Sequence, residues 1–416
     1  MQQFLSSFTL RLRLCVVLLM MLMGCAVLLA QPRSLTKADS AVVRLELDTL
    51  SFPAGHQSFD TLYQHLLPSE ASEARSLRVL HIGGSHVQAG VFSNRLRSNL
   101  QELFPGRPAG LGLMFPYSLL GSSGPKGYSF TSTGKWVKTR NVDKAPTQTM
   151  GLAGAAVTTS DLSSTLTLSH SRPFESLLVY GASISDTAYV YPVLIADGDT
   201  LYPPRSAEVD AYEFLFSHPV SECTLTLEGD SSGVFTFRGM VADPYEGGLL
   251  YTASGINGAS VPSWLRCTAF QDELQPLAPD LAILAIGIND ANGQNFQPEQ
   301  FKDNYRQLIR RILQCNPHCA LLFVTNNDCY LRVGRRKSYN KNTEKVEQAF
   351  YELAAEYHGA VWNLYQIMGG FKSSARWVKA GLMKSDHVHF SPHGYELLGD
   401  LLYNALLADY QKSWKF

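Results

Sequence analysis

Four short stretches of the 416-residue chain carry residue types that can attack an acyl carbon and stabilise the charge that forms. In His81-Ile-Gly-Gly-Ser-His86, Ser85 follows a short apolar run and precedes a helical pattern. A serine at such a junction exposes its hydroxyl and has its amide near a helix start, which suits a nucleophile beside an oxyanion donor. Taken alone, such a Gly-Gly-Ser turn is more often a helix cap. Gly258, in Ser254-Gly-Ile-Asn-Gly-Ala-Ser260, would let the backbone approach a ligand and present an N–H, or be a plain turn. Asn289, in Gly287-Ile-Asn-Asp290, can offer N–H donors to a developing oxyanion without adding charge; an Asx turn is the competing reading. Asp386-His-Val-His389 places a carboxylate three residues before an imidazole. Asp386 can accept the Nδ1–H and leave Nε2 of His389 as a general base. His387, His389 and His393 also form a His-x-His-x3-His run, so a metal site competes there.

Each stretch sits where a strand or a helix should end. Arg78-Val-Leu-His-Ile82 reads as a strand ending at Gly83-Gly84, followed by one helix with Val91, Leu96, Leu100 and Leu103 on a face, stopped by Pro105-Gly106. Asp280–Ile286 is an unbroken apolar run, as expected of a parallel strand covered on both sides. A helix with Phe301, Tyr305, Leu308, Ile309 and Ile312 follows, then the strand Ala320–Val324, a second helix, the strand Ala360–Leu364 and a last helix from Pro392 to about Ala408. Alternating strands and helices predict a layered α/β domain with a parallel sheet, whose ligands sit beyond the carboxyl ends of the strands.

Between about 110 and 250 the texture changes. Thr165–Leu168, Leu177–Tyr180, Thr224–Leu227 and Val234–Phe237 alternate with period two, and Asp197-Gly198 and Gly229-Asp230 mark turns. This predicts antiparallel strands forming an inserted β-sandwich over 110–249. The α/β domain is then discontinuous, 76–109 and 250–410, with 31–75 as an N-terminal tether and entry segment.

Met1–Ala30 has Arg11 and Arg13 before an apolar run ending at Ala30-Gln31-Pro32, the pattern of a signal peptide. Secretion to the periplasm or cell envelope is the expectation, and Leu22-Met-Gly-Cys25 offers a lipid anchor at Cys25 as the one membrane attachment. Five cysteines remain, Cys223, Cys267, Cys315, Cys319 and Cys329, and their spacing forms no disulfide framework. Hydrophobic residues make up 45% and charged residues 17%, which excludes a disordered chain, and a formal charge of −1 offers nucleic acid no general attraction.

In order and context, Ser85, Gly258, Asn289 and the Asp386/His389 pair resemble the motif blocks of the SGNH (GDSL-like) hydrolase superfamily. The first looks like its Gly-Asp-Ser-His variant, the third like Gly-x-Asn-Asp and the last like Asp-x-x-His. The resemblance covers about 76–104 and 250–408. It implies a flavodoxin-like three-layer fold and a Ser85–His389–Asp386 esterase without metal or organic cofactor. In that family the amides of the residues matching Ser85 and Gly258, with the side chain matching Asn289, form the oxyanion hole. A long β-rich insert and a serine followed by histidine are similar to peptidoglycan O-acetylesterases, in which the insert is carbohydrate-binding-like. An acetylated glycan is the implied partner, with Tyr128, Trp136, Tyr189, Tyr191 and Tyr202 able to stack on sugars or to fill the insert's core. Gly84 stands where the family usually has Asp. That carboxylate is not the triad Asp, and its absence bears on the rigidity of the serine loop. The sequence leaves two alternatives beside an O-acetylesterase: an O-acetyltransferase moving acetyl groups between glycans, and a glycan-binding protein with a decayed hydrolase site.

Overall fold

The structure, a computed structural model, describes residues 30–66, 76–104, 109–184, 187–203, 211–245, 247–333 and 336–413. Residues 1–29, where a signal peptide and an anchor at Cys25 are expected, lie outside the described residues.

A seven-stranded sheet organises the α/β domain. From edge to edge the strands are Leu50–Ser51, Ala360–Trp362, Ala320–Val324, Leu281–Ala285, Ser76–Gly83, Gly248–Gly255 and Ala109–Gly110. All pairs are parallel except the antiparallel edge strand Leu50–Ser51. Successive side chains point to opposite faces, and the burial follows that rule. Leu80, Ile82, Ala282, Leu284, Leu321 and Phe323 join one apolar core, while Leu77, Val79, Leu281, Ile283, Leu322 and Trp362 join the other.

The first face carries more than helices. Its core runs without interruption from Leu80 and Trp264 into Phe115, Leu152, Val157, Phe237 and Met240 of the insert. The insert is therefore packed on the parallel sheet. Its strands form a nine-stranded antiparallel sheet that includes two strands attached off its main path. The short alternating runs of the sequence merge here: Leu166–Ser183 and Ala211–Gly229 are single long strands. The first pairs with Tyr128–Ser132 through its beginning and with Phe235–Ala242 through its end. Register shifts between Leu215 and Glu222 break the alternation, which is why the first strand reads as two runs in the sequence and the second only as its end, Thr224–Leu227. The turn Asp197-Gly198 has positive φ at both residues, 49° and 89°, the geometry that lets a two-residue loop join twisted strands.

Two expectations need correction. The single helix expected after Gly84 is two, Ser85–Gln88 and Val91–Gln101. Gly90 between them has φ 74°, and a Cβ there would come 2.6 Å from Pro125 Cα, so the chain turns where only glycine fits. Residues 31–66 are also not a tether. Leu50–Ser51 closes the sheet edge, and Val42, Val43, Phe59, Leu62 and Tyr63 are buried in the core that also holds the C-terminal helix Pro392–Ser413. Small polar clusters hide this apolar content from a composition reading. Among the described residues, no helix is long and apolar enough to cross a membrane.

Candidate active site

Sheet register assembles the site. Gly83, the last residue of its strand, pairs with Gly255 on one side and with Ala285 on the other. The three chain segments that leave the sheet together are therefore those carrying Ser85, Gly258 and Asn289. Glycine is required at this exit. A Cβ on Gly83 would overlap the Val87 side chain, and one on Gly255 would overlap the Gln88 amide. The fourth segment is brought in by the C-terminal helix. Arg95 holds Asp400 through two hydrogen bonds of 2.6 and 2.9 Å, and Asn99 Nδ2 donates to the same carboxylate at 2.8 Å.

Ser85 Oγ lies 2.9 Å from Nε2 of His389, and Nδ1 of His389 lies 2.8 Å from Oδ2 of Asp386. The other oxygen of Asp386 accepts the amides of Val388 and His389, both at 2.9 Å. Partial burial opposes ionisation of this carboxyl, but the His389 ring and the two amides outweigh it and lower its pKa to about 2. An ionised Asp386 fixes the Nδ1–H tautomer, which leaves Nε2 free to accept the serine proton. His86 packs against His389, with ring centroids 5.7 Å apart, and bonds Tyr395 through Nδ1 at 2.6 Å. Burial, with a smaller contribution from His389, pushes its pKa down to about 3, so it adds no competing charge.

Gly258 has φ 84°, and nothing lies within 4 Å of where its Cβ would be, so its left-handed backbone borders open space. Asn289 Nδ2 donates to Ala259 O at 2.9 Å, tying its loop to that of Gly258. Asp290, raised to about 7 by burial, accepts the Val261 amide at 3.0 Å and fastens the same two loops a second time. Ser85, Gly258, Asn289 and His389 all line one cleft of about 490 Å³. Such a set can attack an ester carbon, hold an oxyanion and move a proton between them.

Gly84 leaves room rather than a defect. A Cβ there would make only ordinary contacts, 3.5 Å to both Ala259 O and Asn289 Nδ2. Its carbonyl accepts the amides of Val87 and Gln88 at 3.2 and 3.0 Å, so the serine turn is held without a carboxylate.

Gln88 was not legible as a functional residue. It is buried, its Oε1 accepts the Asn257 amide at 2.5 Å, and its Nε2 donates to Ser122 Oγ at 2.8 Å and to Ser123 O at 3.3 Å. It thus sets the loop of Gly258 while bonding Ser122 and Ser123 of the insert. Only its position three residues past the nucleophile hinted at this. Gln88→Leu is expected to lower kcat by about tenfold with little change in KM, measured on p-nitrophenyl acetate, because a displaced oxyanion donor weakens the transition state more than the ground state.

The His-x-His-x3-His run does not converge. His387 stacks on Tyr330 at 3.9 Å and bonds Ser374, and His393 bonds Asp39 at 3.0 Å. Among the described residues no three His, Cys, Asp or Glu side chains gather as a metal set. The five cysteines Cys223, Cys267, Cys315, Cys319 and Cys329 are free and buried. Of the five aromatic candidates, Tyr128 bonds Phe115 inside the insert and Trp136 bonds Thr133. Tyr189 stacks on Tyr191, while Tyr191 and Tyr202 share Glu228, and none of the five lines the cleft.

The GDSL-like lipase/acylhydrolase family model matches residues 227–397, which include Gly258, Asn289, Asp386 and His389. Ser85 precedes that segment because the insert separates the first block from the rest. A solved peptidoglycan O-acetylesterase is 19% identical and superposes over 87% of this chain and 99% of its own with a TM-score of 0.70, a likeness of fold that takes in the insert. An acetyl xylan esterase, 18% identical, aligns over 38% of this chain and 81% of its own with a TM-score of 0.31. A GDSL-like lipase from Bacteroides thetaiotaomicron, 16% identical, aligns over 39% and 76% with a TM-score of 0.29. No curated protein matches the chain by sequence. Residues 227–397 are thus similar to the GDSL-like lipase/acylhydrolase family, and the α/β domain shares the fold of a solved esterase. The chain is accordingly similar in fold to that peptidoglycan O-acetylesterase, with the antiparallel sheet as an additional β-rich module.

Proposed function

We propose that this protein is a secreted esterase that removes O-acetyl groups from a cell-envelope carbohydrate, with peptidoglycan the favoured substrate. Ser85 Oγ attacks the acetyl carbonyl as Nε2 of His389 takes its proton, and Asp386 holds the imidazole and balances its charge. The amides of Ser85 and Gly258 and the Asn289 carboxamide receive the oxyanion. The tetrahedral intermediate then collapses, His389 returns the proton to the sugar oxygen, and the acetyl group stays on Ser85. Water, deprotonated by His389, releases acetate by the same path.

The observation that carries this reading is the unbroken chain from Ser85 through His389 to Asp386, opening on a cleft. The structural likeness to a peptidoglycan O-acetylesterase directs the choice of glycan. Secretion follows from the leader pattern of Met1–Ala30.

The test is acetate release from O-acetylated peptidoglycan compared with acetylated xylan. Faster release from peptidoglycan supports the proposal, whereas release from xylan alone reassigns the substrate. Asn289→Ala is expected to cost on the order of 10²–10³ in kcat on either substrate. A change in KM alone would remove Asn289 from the oxyanion hole.

A further inference from the structure

The strand Ala320–Val324 is followed by four polar residues, Thr325, Asn326, Asn327 and Asp328, all buried. Three of them are engaged by the protein. Thr325 Oγ1 donates to Asn363 Oδ1 at 3.2 Å and accepts the Tyr365 amide at 3.0 Å. Asn327 Nδ2 donates to the carbonyls of Asp328 and Val388 at 3.0 and 3.2 Å. Asp328 Oδ2 accepts the Ser374 amide at 2.9 Å.

Asn326 differs. It is 5% exposed, its Nδ2 is buried without a hydrogen-bond partner, and it lines the same cleft as Ser85, Asn289 and His389. Its Oδ1 lies against Gly287, where a Cβ would come within 2.9 Å, so that glycine lets the carboxamide rest on the loop that carries Asn289. A buried amide with unmade hydrogen bonds is disfavoured unless something in the functional state meets them. Its place beyond the carboxyl end of a central strand is where open α/β sheets hold ligands.

We propose that Asn326 is a substrate-binding residue for the alcohol portion of the ester. Its Nδ2 donates to one oxygen of the sugar and its Oδ1 accepts from the neighbouring hydroxyl or acetamido N–H. A carboxamide presents donor and acceptor side by side, which matches the adjacent polar groups of a sugar, two hydroxyls or a hydroxyl beside an acetamido group, and has no counterpart on a lipid acyl chain. The inference rests on the esterase reading above and narrows its substrate to a polyhydroxylated alcohol.

The experiment compares two acetyl esters, p-nitrophenyl acetate, which carries no hydroxyl, and a 6-O-acetylated methyl glucopyranoside. Asn326→Leu keeps the size and removes both polar atoms, whereas Asn326→Asp keeps only acceptors. Both are expected to lower kcat/KM for the sugar ester by about tenfold more than for p-nitrophenyl acetate. An equal fall on both esters marks a structural role and overturns the assignment, as does an unchanged ratio. If Asn326→Leu does not fold, Asn326→Ser reads the same ratio. Turnover of p-nitrophenyl acetate by the unaltered protein, lost in Ser85→Ala, tests the esterase reading separately. When that turnover is present and the ratio does not move, only the role of Asn326 falls.

Discussion

Ser85→Ala is expected to reduce kcat on p-nitrophenyl acetate by about 10⁴- to 10⁶-fold while leaving the far-UV circular dichroism unchanged. Ser85 Oγ makes its hydrogen bond to His389 at the surface of a cleft and carries no part of either core, so its loss removes chemistry and not packing. His389→Ala should fall as far, and the double variant no further, because attacking oxygen and proton acceptor act in one step. Asp386→Asn should cost about 10⁴-fold, since a carboxamide facing Nδ1 stabilises the wrong tautomer. Covalent labelling by a fluorophosphonate gives an independent reading, with labelling of Ser85 expected in the unaltered protein and absent in Ser85→Ala. Undiminished turnover in Ser85→Ala would reject the assignment.

The acidity of Asp386 adds a pH dependence of stability. Its pKa falls on folding to about 2, so the stability it contributes is present in full above the ordinary carboxylate range and is lost as the pH drops toward 2. At neutral pH the carboxylate is therefore ionised, as the mechanism needs.

The largest effect on stability is expected at the joint between the insert and the α/β domain. Arg238, on the insert strand Phe235–Ala242, and Glu273, on the helix Phe270–Leu274, are both buried and bond through Nε and Oε1 at 2.5 Å. Glu273 Oε2 also accepts the Leu152 amide at 2.6 Å, and its carbonyl accepts the Tyr180 hydroxyl at 2.7 Å. Gly151 makes this approach practicable, because a Cβ there would overlap the Glu273 carboxylate. Removing one partner takes from a buried charge the bond at 2.5 Å that opposes its desolvation. Arg238→Met and Glu273→Gln are each expected to destabilise by about 3–5 kcal/mol, measured by denaturant unfolding. The double variant Arg238→Met/Glu273→Gln should lose less than the sum of the two, because both single variants remove the same bond. Since one apolar core spans insert and sheet, both halves should unfold together. Separate transitions for the two would contradict that.

Much of the site was legible before the fold. Apolar runs such as Asp280–Ile286 and Ala320–Val324 mark strands covered on both faces, and they lie directly ahead of Asn289 and Asn326. The spacing in Asp386-His-Val-His389 is short enough for local geometry alone to join carboxylate and imidazole. Local patterns have local causes, and alternation, turn chemistry and glycine placement record them. The insert's long strands were harder, because bulges at Leu215–Glu222 cut the period-two signal that identifies a strand.

Tertiary structure decided the rest. Whether Ser85 meets an imidazole some three hundred residues away depends on the register of Gly83 between Gly255 and Ala285, and on the Arg95–Asp400 clamp. The roles of Gln88, Asp290 and Asn326 depend on which buried polar atoms find partners in the folded protein. The N-terminal segment meets the same limit: residues 31–66 look polar in one dimension yet complete a sheet edge in three. Sequence settles residue type and local pattern because short-range sterics and hydrogen bonding fix them. Long-range pairing and desolvation exist only once the chain has closed on itself, and those two effects turn the separate motifs into a site.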